Sequence, residues 1–260
     1  MTLSVVIVAQ DEERTIGKVI EAVKSIADEI VLVDSGSSDR TLEIAKSLGA
    51  DCRHQDWLGY AAQKNFALDL AKHDWVLSLD ADEIVTPELV AEIKQVMNGL
   101  DATAYDGYKL PRILYIGDVP VRHGGFYPDA QLRLIQKGKG RFNDRLVHEA
   151  IKVSGPVKML ENSMLHYAYK DVAEFSAAME KYARLSAKEF ARRKKFGWKC
   201  HPLNEIIHPL WTFNYRYFAR GGLLDGPLGL ELAKIYADYV RKKIRYLREL
   251  QNAPPEMACN

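Results

Sequence analysis

Cysteine is scarce in this sequence of 260 residues, and the three that occur, Cys52, Cys200 and Cys259, lie far apart with no C-x-x-C pair. An odd and scattered set does not form the disulfide framework of a small secreted domain, and it lacks the paired spacing of a zinc ribbon. The sequence therefore predicts a fold held together by its own apolar core, in a reducing cytoplasm.

Long apolar runs are also missing. No stretch reaches the roughly 20 apolar residues that cross a bilayer. The apolar first ten residues run directly into Asp11, Glu12, Glu13 and Arg14, which is unlike a secretory signal. We expect a chain that is not exported by that route and that meets a membrane only at its surface.

Two common phosphate-binding loops are absent. The sequence contains no G-x-x-x-x-G-K-[ST] and no G-x-G-x-x-G after its first apolar run. P-loop nucleotide hydrolases and dinucleotide-dependent oxidoreductases are therefore disfavoured. If this chain binds a diphosphate, something other than a glycine-rich loop has to neutralise it.

Charge is unevenly distributed, although the formal net charge is only +1. Residues 1–169 carry 19 Lys+Arg against 25 Asp+Glu, whereas residues 170–260 carry 17 against 10. The acidic part disfavours direct binding of nucleic acid. The basic part suits nucleic acid, anionic lipid or a phosphorylated acceptor, and charge alone does not choose among them.

Strand and helix patterns alternate through the first hundred residues, which predicts an α/β fold with a doubly wound, Rossmann-like sheet. Short apolar runs predict its strands at Leu3 to Ala9, Glu29 to Val33 and Trp75 to Leu79. Asp51 to His54 is predicted as a short third strand from its place between two helices. Shorter strand-like runs continue to residue 153. We expect one domain over 1–170, with 1–100 and 101–170 as its two halves.

Helical periodicity returns at Asp171 and predicts a basic, aromatic-rich helical extension over 171–260. One helix runs to about Lys195 and another from about Leu228 to Leu250, with a link rich in proline and aromatic residues between them. Cations alternate with aromatics near Arg192 and again near Arg241. Helices of this kind lie on anionic membranes, or they form a solvated face packed on the rest of the protein.

Two acidic motifs follow predicted strands. Asp80 and Asp82, spaced i, i+2, project from one side of an extended backbone and could share a divalent cation with a diphosphate, or they could simply open the next helix. Asp34 begins a loop of Ser and Gly that suits a nucleotide base and ribose, or it forms an Asx turn that caps a helix. Because ligands bind at the carboxyl ends of parallel strands, the motifs together predict a nucleotide site.

Four motifs, in this order and spacing, resemble glycosyltransferase family 2: Ser4–Val8 with Glu12-Glu13, Val33–Thr41, Gln63–Ala67, and Trp75–Glu83. Within that family, Val147-His148-Glu149 and Leu224-Asp225-Gly226 are most similar to bacterial lipopolysaccharide core glucosyltransferases that act on inner-core heptose. The resemblance implies the A-type glycosyltransferase (GT-A) fold, a nucleotide-sugar donor such as UDP-glucose, a divalent cation (Mn²⁺ or Mg²⁺) and inversion at the anomeric carbon.

The resemblance also implies roles for the donor-site residues. By position, Asp34 would contact the uracil or ribose, Asp80 the ribose or a metal-bound water, and Asp82 the metal. Lys64 stands near where the family often has Arg and would reach the base or the diphosphate. Three further positions of these motifs would complete the donor site, namely Ala9, Glu12 and Ser35.

An inverting transfer needs a base that accepts the proton of the attacking hydroxyl, and the family places an acid well after Asp-x-Asp for this purpose. Glu149 is the candidate and Asp129 the competing one. His148 would be a metal ligand or a structural hydrogen-bonding group. Arg133 and Arg145 would bind phosphates of the acceptor, or they would form surface ion pairs.

Together these expectations describe an inverting, metal-dependent hexosyltransferase at the cytoplasmic face of the inner membrane. It would move glucose from UDP-glucose to a lipid-linked saccharide such as the inner-core heptose of lipopolysaccharide, and it would not bind nucleic acid. Two alternatives are a polyprenyl-phosphate glycosyltransferase and a non-catalytic nucleotide-sugar or saccharide adaptor on the same fold. The sequence does not fix the oligomeric state.

Overall fold

The computed structural model describes residues 1–99, 104–143, 150–192 and 201–252. The chain divides into two compact units, of which the first comprises Met1–Tyr115 and Pro128–Ala168. The second comprises Ile116–Tyr127 and Tyr169–Asn260. This division differs from the predicted boundary at residue 170 mainly by the short segment Ile116–Tyr127.

The first unit is built on a central sheet of seven strands. The strands of the described chain are β1 (Leu3–Ala9), β2 (Glu29–Asp34), β3 (Asp51–His54), β4 (Trp75–Asp80), β5 (Glu83–Val85), β6 (Gly107–Leu110), β7 (Arg112–Ile116), β8 (Val119–Val121), β9 (Gln131–Gln136), β10 (Gly140–Phe142), β11 (Ile151–Val153), β12 (Val157–Met159) and β13 (Met164–Tyr169). The order in the central sheet is β12-β6-β9-β4-β1-β2-β3.

The sheet is mixed. Strand β1 pairs in parallel with β2 and with β4, and β2 pairs in parallel with β3. Strand β9 runs antiparallel to both β4 and β6. The predicted wound parallel sheet is therefore confirmed for the first four strands. Of the three later strands in this sheet, β9 runs in the opposite direction, whereas β6 and β12 run in the same direction as β1.

Helices cover both faces of this sheet: α1 (Ile16–Val23), α2 (Thr41–Ser47), α3 (Tyr60–Leu70) and α4 (Pro87–Asn98). Helix α4 begins sharply because the side chain of Thr86 accepts a hydrogen bond from Leu89 N and Pro87 occupies the first helical position. The core lies on both sides of β1, whose Val5 and Ile7 face α1 and α4 while Val6 faces α3. Each side chain so buried contributes about 1.5–3 kcal/mol to folding.

A second, smaller sheet places β13 between β5 and β7. Strand β13 is antiparallel to β5, with His166 opposite Glu83. This pairing holds a histidine alongside the turn that follows β4.

The second unit contains β8 and three long helices: α5 (Val172–Arg192), α6 (Asn204–Asn214) and α7 (Gly226–Asn252). A π-helical turn, Tyr215–Ala219, and a 3₁₀ turn, Gly222–Asp225, connect α6 to α7. The predicted helices from 171 and 228 are confirmed. The link between them contains a further helix, α6, which was not predicted because of Pro209. Among the described helices, none combines the length and the apolar character needed to cross a membrane.

Candidate active site

The carboxyl ends of β1, β2 and β4 meet at one edge of the central sheet. The strand register places Asp34 opposite Ala9 and Asp80 opposite Val8. Both predicted acidic motifs therefore lie at the carboxyl ends of the two strands that flank β1, at the edge where parallel α/β sheets bind ligands.

The loop after β2 is organised by Asp34, which is 1 % exposed. Its carboxylate accepts hydrogen bonds from Gly36 N (2.8 Å), Ser37 N (3.0 Å) and Ser37 Oγ (2.5 Å). Gly36 adopts a φ of 99°, which favours glycine. The predicted Asx turn forms here, but Asp34 does not cap α2: the carboxylate that accepts from Thr41 N, at the first residue of α2, is that of Asp39, at 2.9 Å. The role of Asp34 in contacting a base or ribose stays a prediction.

Residues of neighbouring elements form hydrogen bonds with the loop after β2. Ser35 N donates to Ala9 O at 3.1 Å, and Gln63 donates from Nε2 to Ser35 Oγ at 3.0 Å. Asp11, at a φ of 56°, accepts from Ser38 N at 2.7 Å. Asp11 does not cap α1, because α1 begins at Ile16 and the Asp11 carboxylate accepts hydrogen bonds from Ser38 instead.

Asp80 is held by two cations. Lys64 Nζ lies 2.7 Å from its Oδ1, and Arg133 Nη2 lies 2.6 Å from its Oδ2. Burial opposes ionisation, yet these two cations hold the pKa of Asp80 far below its usual value. Asp80 is therefore a carboxylate with both oxygens engaged, and Lys64 is bound to Asp80 at the position where the resemblance implied a base or diphosphate contact.

Sequence reasoning missed the next carboxylate along the chain. Glu83 is fully buried and accepts from Arg133 Nη2 (2.6 Å), Arg112 Nη1 (2.7 Å) and Asp80 N (3.1 Å). Its position directly after Asp82, within the acidic motif, is the sequence signal that could have identified Glu83 as part of the site. Nothing in the local pattern around Arg112 pointed to this partner.

Arg112 also reaches the competing base candidate. Its Nε lies 3.2 Å from Asp129 Oδ2, and Gln131 Nε2 donates to the other oxygen of Asp129 at 2.7 Å. The charge of Arg112 lowers the pKa of Asp129 although partial burial acts in the opposite direction. Asp80, Arg133, Glu83, Arg112 and Asp129 thus form one chain of alternating charges, called here the buried ion chain.

Asp82 is placed differently from Asp80. Its Oδ2 lies 3.4 Å from His166 Nε2, and its backbone oxygen accepts from Tyr167 N at 2.9 Å. Its Oδ1 is buried and accepts no hydrogen bond from any residue in the described part of the chain. The structure therefore brings His166, from β13, to the second acid of the Asp80 and Asp82 motif.

Negative charge is in excess on this side of the site. Burial and, to a smaller extent, the charges of Asp82, Asp39 and Asp80 together raise the pKa of Glu12 to about 7, against a hydrogen bond from Thr15 that lowers it. Lys64 and Arg133 form ion pairs with Asp80. Among the described residues, the basic side chain next to Asp82 is that of His166. A bound cation would lower the electrostatic cost of ionising Glu12 and Asp82 together.

The residues present fit a divalent cation that is shared with a ligand. The unpartnered Oδ1 of Asp82 is a hard oxygen donor of the kind that Mg²⁺ and Mn²⁺ prefer. Within the described ranges, no three Asp, Glu, His or Cys side chains are grouped closely enough to hold a metal ion by themselves. A cation at Asp82 would therefore need further oxygen ligands, which the phosphates of a bound nucleotide can supply.

The remaining predicted residues fall into two groups. Glu149, His148 and Arg145 lie outside the described residues. Arg133, predicted to bind phosphates of the acceptor, is only 4 % exposed and is enclosed between Asp80 and Glu83. In the structure its guanidinium holds two carboxylates in place, and an acceptor contact stays a prediction.

The sequence profile of "Glycosyl transferase family 2" matches residues 4–145, which is more than half of the chain. The lipopolysaccharide core biosynthesis glycosyltransferase LpsC of Rhizobium meliloti is 30% identical over 271 residues, covering 99% of this chain and 96% of that protein. An uncharacterized glycosyltransferase of Rickettsia typhi is 30% identical over 259 residues, covering 95% and 87%.

Among solved structures, glucosyl-3-phosphoglycerate synthase from Mycobacterium tuberculosis, in complex with Mn²⁺, uridine diphosphate and glucosyl-3-phosphoglycerate, aligns with 44% of this chain and 44% of its own, at 25% identity and a TM-score of 0.36. That partial likeness is too low to bear on function. The family profile and the full-length similarity to LpsC do bear on it. The chain belongs to glycosyl transferase family 2, has the mixed α/β architecture of the GT-A fold, and is a glycosyltransferase.

Proposed function

We propose that the protein transfers a hexose, glucose from UDP-glucose, to a lipid-linked saccharide such as the inner-core heptose of lipopolysaccharide. The observation that carries this proposal is the pair of acidic motifs at the ends of the two strands that flank β1, Asp34 and Asp80 with Asp82, in a chain similar over its whole length to LpsC. We place the protein at the cytoplasmic face of the inner membrane, where such an acceptor is assembled.

In this proposal the loop after β2 receives the nucleoside. The bonds of Asp34 to Gly36 and Ser37 fix the backbone of the loop, and Ser35 is held by Gln63 and Ala9. A base and ribose would therefore meet a surface that is already ordered, which reduces the entropy lost on binding.

The other end of the donor lies toward Asp80 and Asp82. Lys64, bound to Asp80 in the free protein, is the described cation best placed to turn toward a diphosphate. Arg133 is fixed by Asp80 and Glu83 and would stay in place as Lys64 moves. Asp80 would remain ionised throughout, because Arg133 alone still opposes its protonation.

Asp82, through its unpartnered Oδ1, would hold a divalent cation together with the donor phosphates. When bound, such a cation neutralises the negative charge that develops on the departing diphosphate. His166 would orient the second oxygen of Asp82, because its Nε2 lies 3.4 Å from Oδ2.

Inversion requires a single displacement, with a base on the acceptor side. We propose Glu149 as that base. Arg112 lowers the pKa of Asp129, so Asp129 takes up a proton less readily than a carboxylate without such a partner. The ion pair with Arg112 therefore supports Glu149 over Asp129 as the base. In this proposal the role of Asp129 is to position Arg112.

The test is release of nucleoside diphosphate from a panel of nucleotide sugars, with Mn²⁺, Mg²⁺ or chelator present. We expect slow hydrolysis of one donor that disappears with chelator and in Asp82→Asn, which keeps the size of the side chain. Asp56→Asn is the matched control, because its side chain is 93% exposed. Transfer to lipopolysaccharide lacking the outer sugar would then identify the acceptor.

Two outcomes would contradict the proposal. If no donor is hydrolysed or bound in the presence of metal, a non-catalytic saccharide-binding adaptor explains the fold better. If hydrolysis occurs but polyprenyl phosphate is glycosylated in preference to lipopolysaccharide, the acceptor assignment is wrong while the donor site stands.

A further inference from the structure

Helix α6 and the π-helical turn that follows it present apolar side chains to solvent. Seven residues at 3- and 4-residue spacing form one continuous face, called here the α6 stripe: Leu203, Ile206, Ile207, Leu210, Trp211, Tyr215 and Phe218. Trp211 is 70% exposed and Ile206 is 61% exposed. A surface helix normally turns such a stripe toward the core, so this one is oriented the opposite way.

Although the α6 stripe is exposed, the other side of helix α6 is packed. The opposite side of α6 packs against α7, where Arg248 Nη1 lies 2.7 Å from Glu205 Oε1 and Arg245 Nε lies 3.6 Å from Oε2. Asn204 on this side is buried. The polar contacts of Glu205 therefore lie on the packed side of α6, and the apolar face is directed outward.

Charge around the stripe is of one sign. Residues 201–224 contain a single carboxylate, Glu205, and its side chain is only 15% exposed because it faces α7. The cations in the same segment are Arg216 and Arg220. Arg216 lies over the ring of Tyr236 and donates to Gly124 O, whereas Arg220 is exposed. The face offers apolar and aromatic groups with an open cation and no open carboxylate.

Of the two basic segments that the sequence linked to membranes, the one near Arg241 is largely engaged in contacts within the second unit. Lys242 pairs with Glu180 and Asp238, and Lys243 lies over the rings of Phe190 and Tyr239, where burial lowers its pKa. These cations therefore join α5 to α7. The segment after Arg192 lies outside the described residues.

We propose that the α6 stripe lies in the interfacial layer of an anionic lipid bilayer, with Trp211 and Leu210 inserted among the acyl chains. A helix with an exposed tryptophan, bulky aliphatic residues and no outward carboxylate binds in the plane of such an interface. The net positive charge of residues 170–260, 17 basic against 10 acidic, adds attraction to anionic headgroups. This inference deepens the proposed function, since it is the surface that would bring the enzyme to a lipid-linked acceptor.

The test is flotation of the purified chain with vesicles that contain no saccharide, so that its result does not depend on donor or acceptor. We expect binding to phosphatidylglycerol–phosphatidylcholine vesicles, weaker binding to phosphatidylcholine alone, and weakening by salt because exposed charges are screened. The variant Leu210→Ser/Trp211→Ser should lower the partition coefficient at least about tenfold, since a buried side chain of this size contributes more than one tenfold factor.

Matched variants separate the stripe from general effects. Met159→Ser removes an apolar side chain of the first unit that is 52% exposed, and it should bind vesicles like the wild type. Arg220→Glu should weaken binding to anionic vesicles while leaving binding to neutral ones unchanged. Circular dichroism and donor hydrolysis should match the wild type for all of these variants, because none lies in the candidate active site.

The inference is overturned if the wild-type chain does not float with anionic vesicles, or if Leu210→Ser/Trp211→Ser floats equally well. Analytical ultracentrifugation tests the competing explanation, which is that the α6 stripe is a dimer interface. A wild-type dimer that the double variant converts to a monomer, with no vesicle binding, would assign the stripe to a second copy of the chain.

Discussion

Replacing Glu12 with Gln is expected to stabilise the protein at high pH and not at low pH. Glu12 is largely buried near Asp82, Asp80 and Asp39, and its pKa is raised from 4.5 to about 7. Between these two values the folded state binds a proton that the unfolded chain has released. The free energy of unfolding therefore falls as pH rises from about 4.5 to about 7, and it stays lowered above that range.

The magnitude follows from the pKa. At 1.36 kcal/mol for each pH unit, the change from 4.5 to about 7 corresponds to about 3 kcal/mol. Because Glu12 keeps some contact with solvent, screening reduces this to about 1–2 kcal/mol. Gln is close in size and can still accept the hydrogen bond from Thr15, but it carries no charge. We expect Glu12→Gln to raise the melting temperature by roughly 3–6 °C at pH 8 and by almost nothing at pH 5.

The assay is thermal and urea unfolding at pH 5 and pH 8 with chelator present, followed by circular dichroism. Glu21→Gln is the matched control, because Glu21 is exposed and forms a surface ion pair with Lys24 near the end of α1. A gain of equal size at both pH values, or a loss at pH 8, would refute the reasoning. Repeating the measurement with Mn²⁺ at pH 8 should shrink the gain, since a cation near Asp82 relieves the same repulsion.

Three further predictions follow from other contacts. Glu83→Gln removes the negative charge that Arg112 and Arg133 share in a buried site, so urea unfolding should show that the free energy of unfolding falls by about 3–5 kcal/mol. A fall of less than about 1 kcal/mol would mean that these ion pairs do not persist in solution. Arg112→Met should raise the pKa of Asp129, so the acidic limb of the pH–rate profile moves upward if Asp129 is the base and stays fixed if Glu149 is. Gly229→Ala should cost about 1–3 kcal/mol in the second unit, because a Cβ there would lie 1.9 Å from Gly222 O; unchanged thermal unfolding would contradict the close approach of α7 to the 3₁₀ turn.

The part of the fold that could be predicted depends on local patterns. Continuous apolar runs such as Leu3 to Ala9 indicate strands buried on both faces, and the helices between them require parallel pairing. Once β1, β2 and β4 are parallel neighbours, Asp34 and Asp80 must lie at one edge of the sheet. The acidic motifs were therefore located correctly without coordinates.

The charge partners of the site could not be predicted, because they come from distant parts of the chain. Arg133 lies 53 positions from Asp80, and Arg112 lies 29 positions from Glu83. Periodicity carries no information about such pairs, so the sequence left Arg133 either as a cation for acceptor phosphates or as a member of a surface ion pair. The structure shows that a central antiparallel strand, β9, carries it into the core.

Helix α6 was missed for a different reason. Pro209 removes a backbone donor in the helix interior, and the surrounding aromatics favour other structures. Packing against α7 and the ion pair of Glu205 with Arg248 stabilise the helix in spite of this local preference. Tertiary contacts therefore override propensity at this position.

The buried ion chain has a consequence for how this sequence can change over time. Each inner member is shared by two partners, so the cost of replacing one residue depends on which residue stands next to it. A neutral substitution at Glu83 would turn Arg112 from a stabilising residue into a destabilising one, and a second substitution at Arg112 would recover much of the loss. Descendants of this sequence are therefore expected to keep these residues or to exchange them in pairs. Single replacements should be found mainly at Asp129, the member of the buried ion chain that is most exposed to solvent.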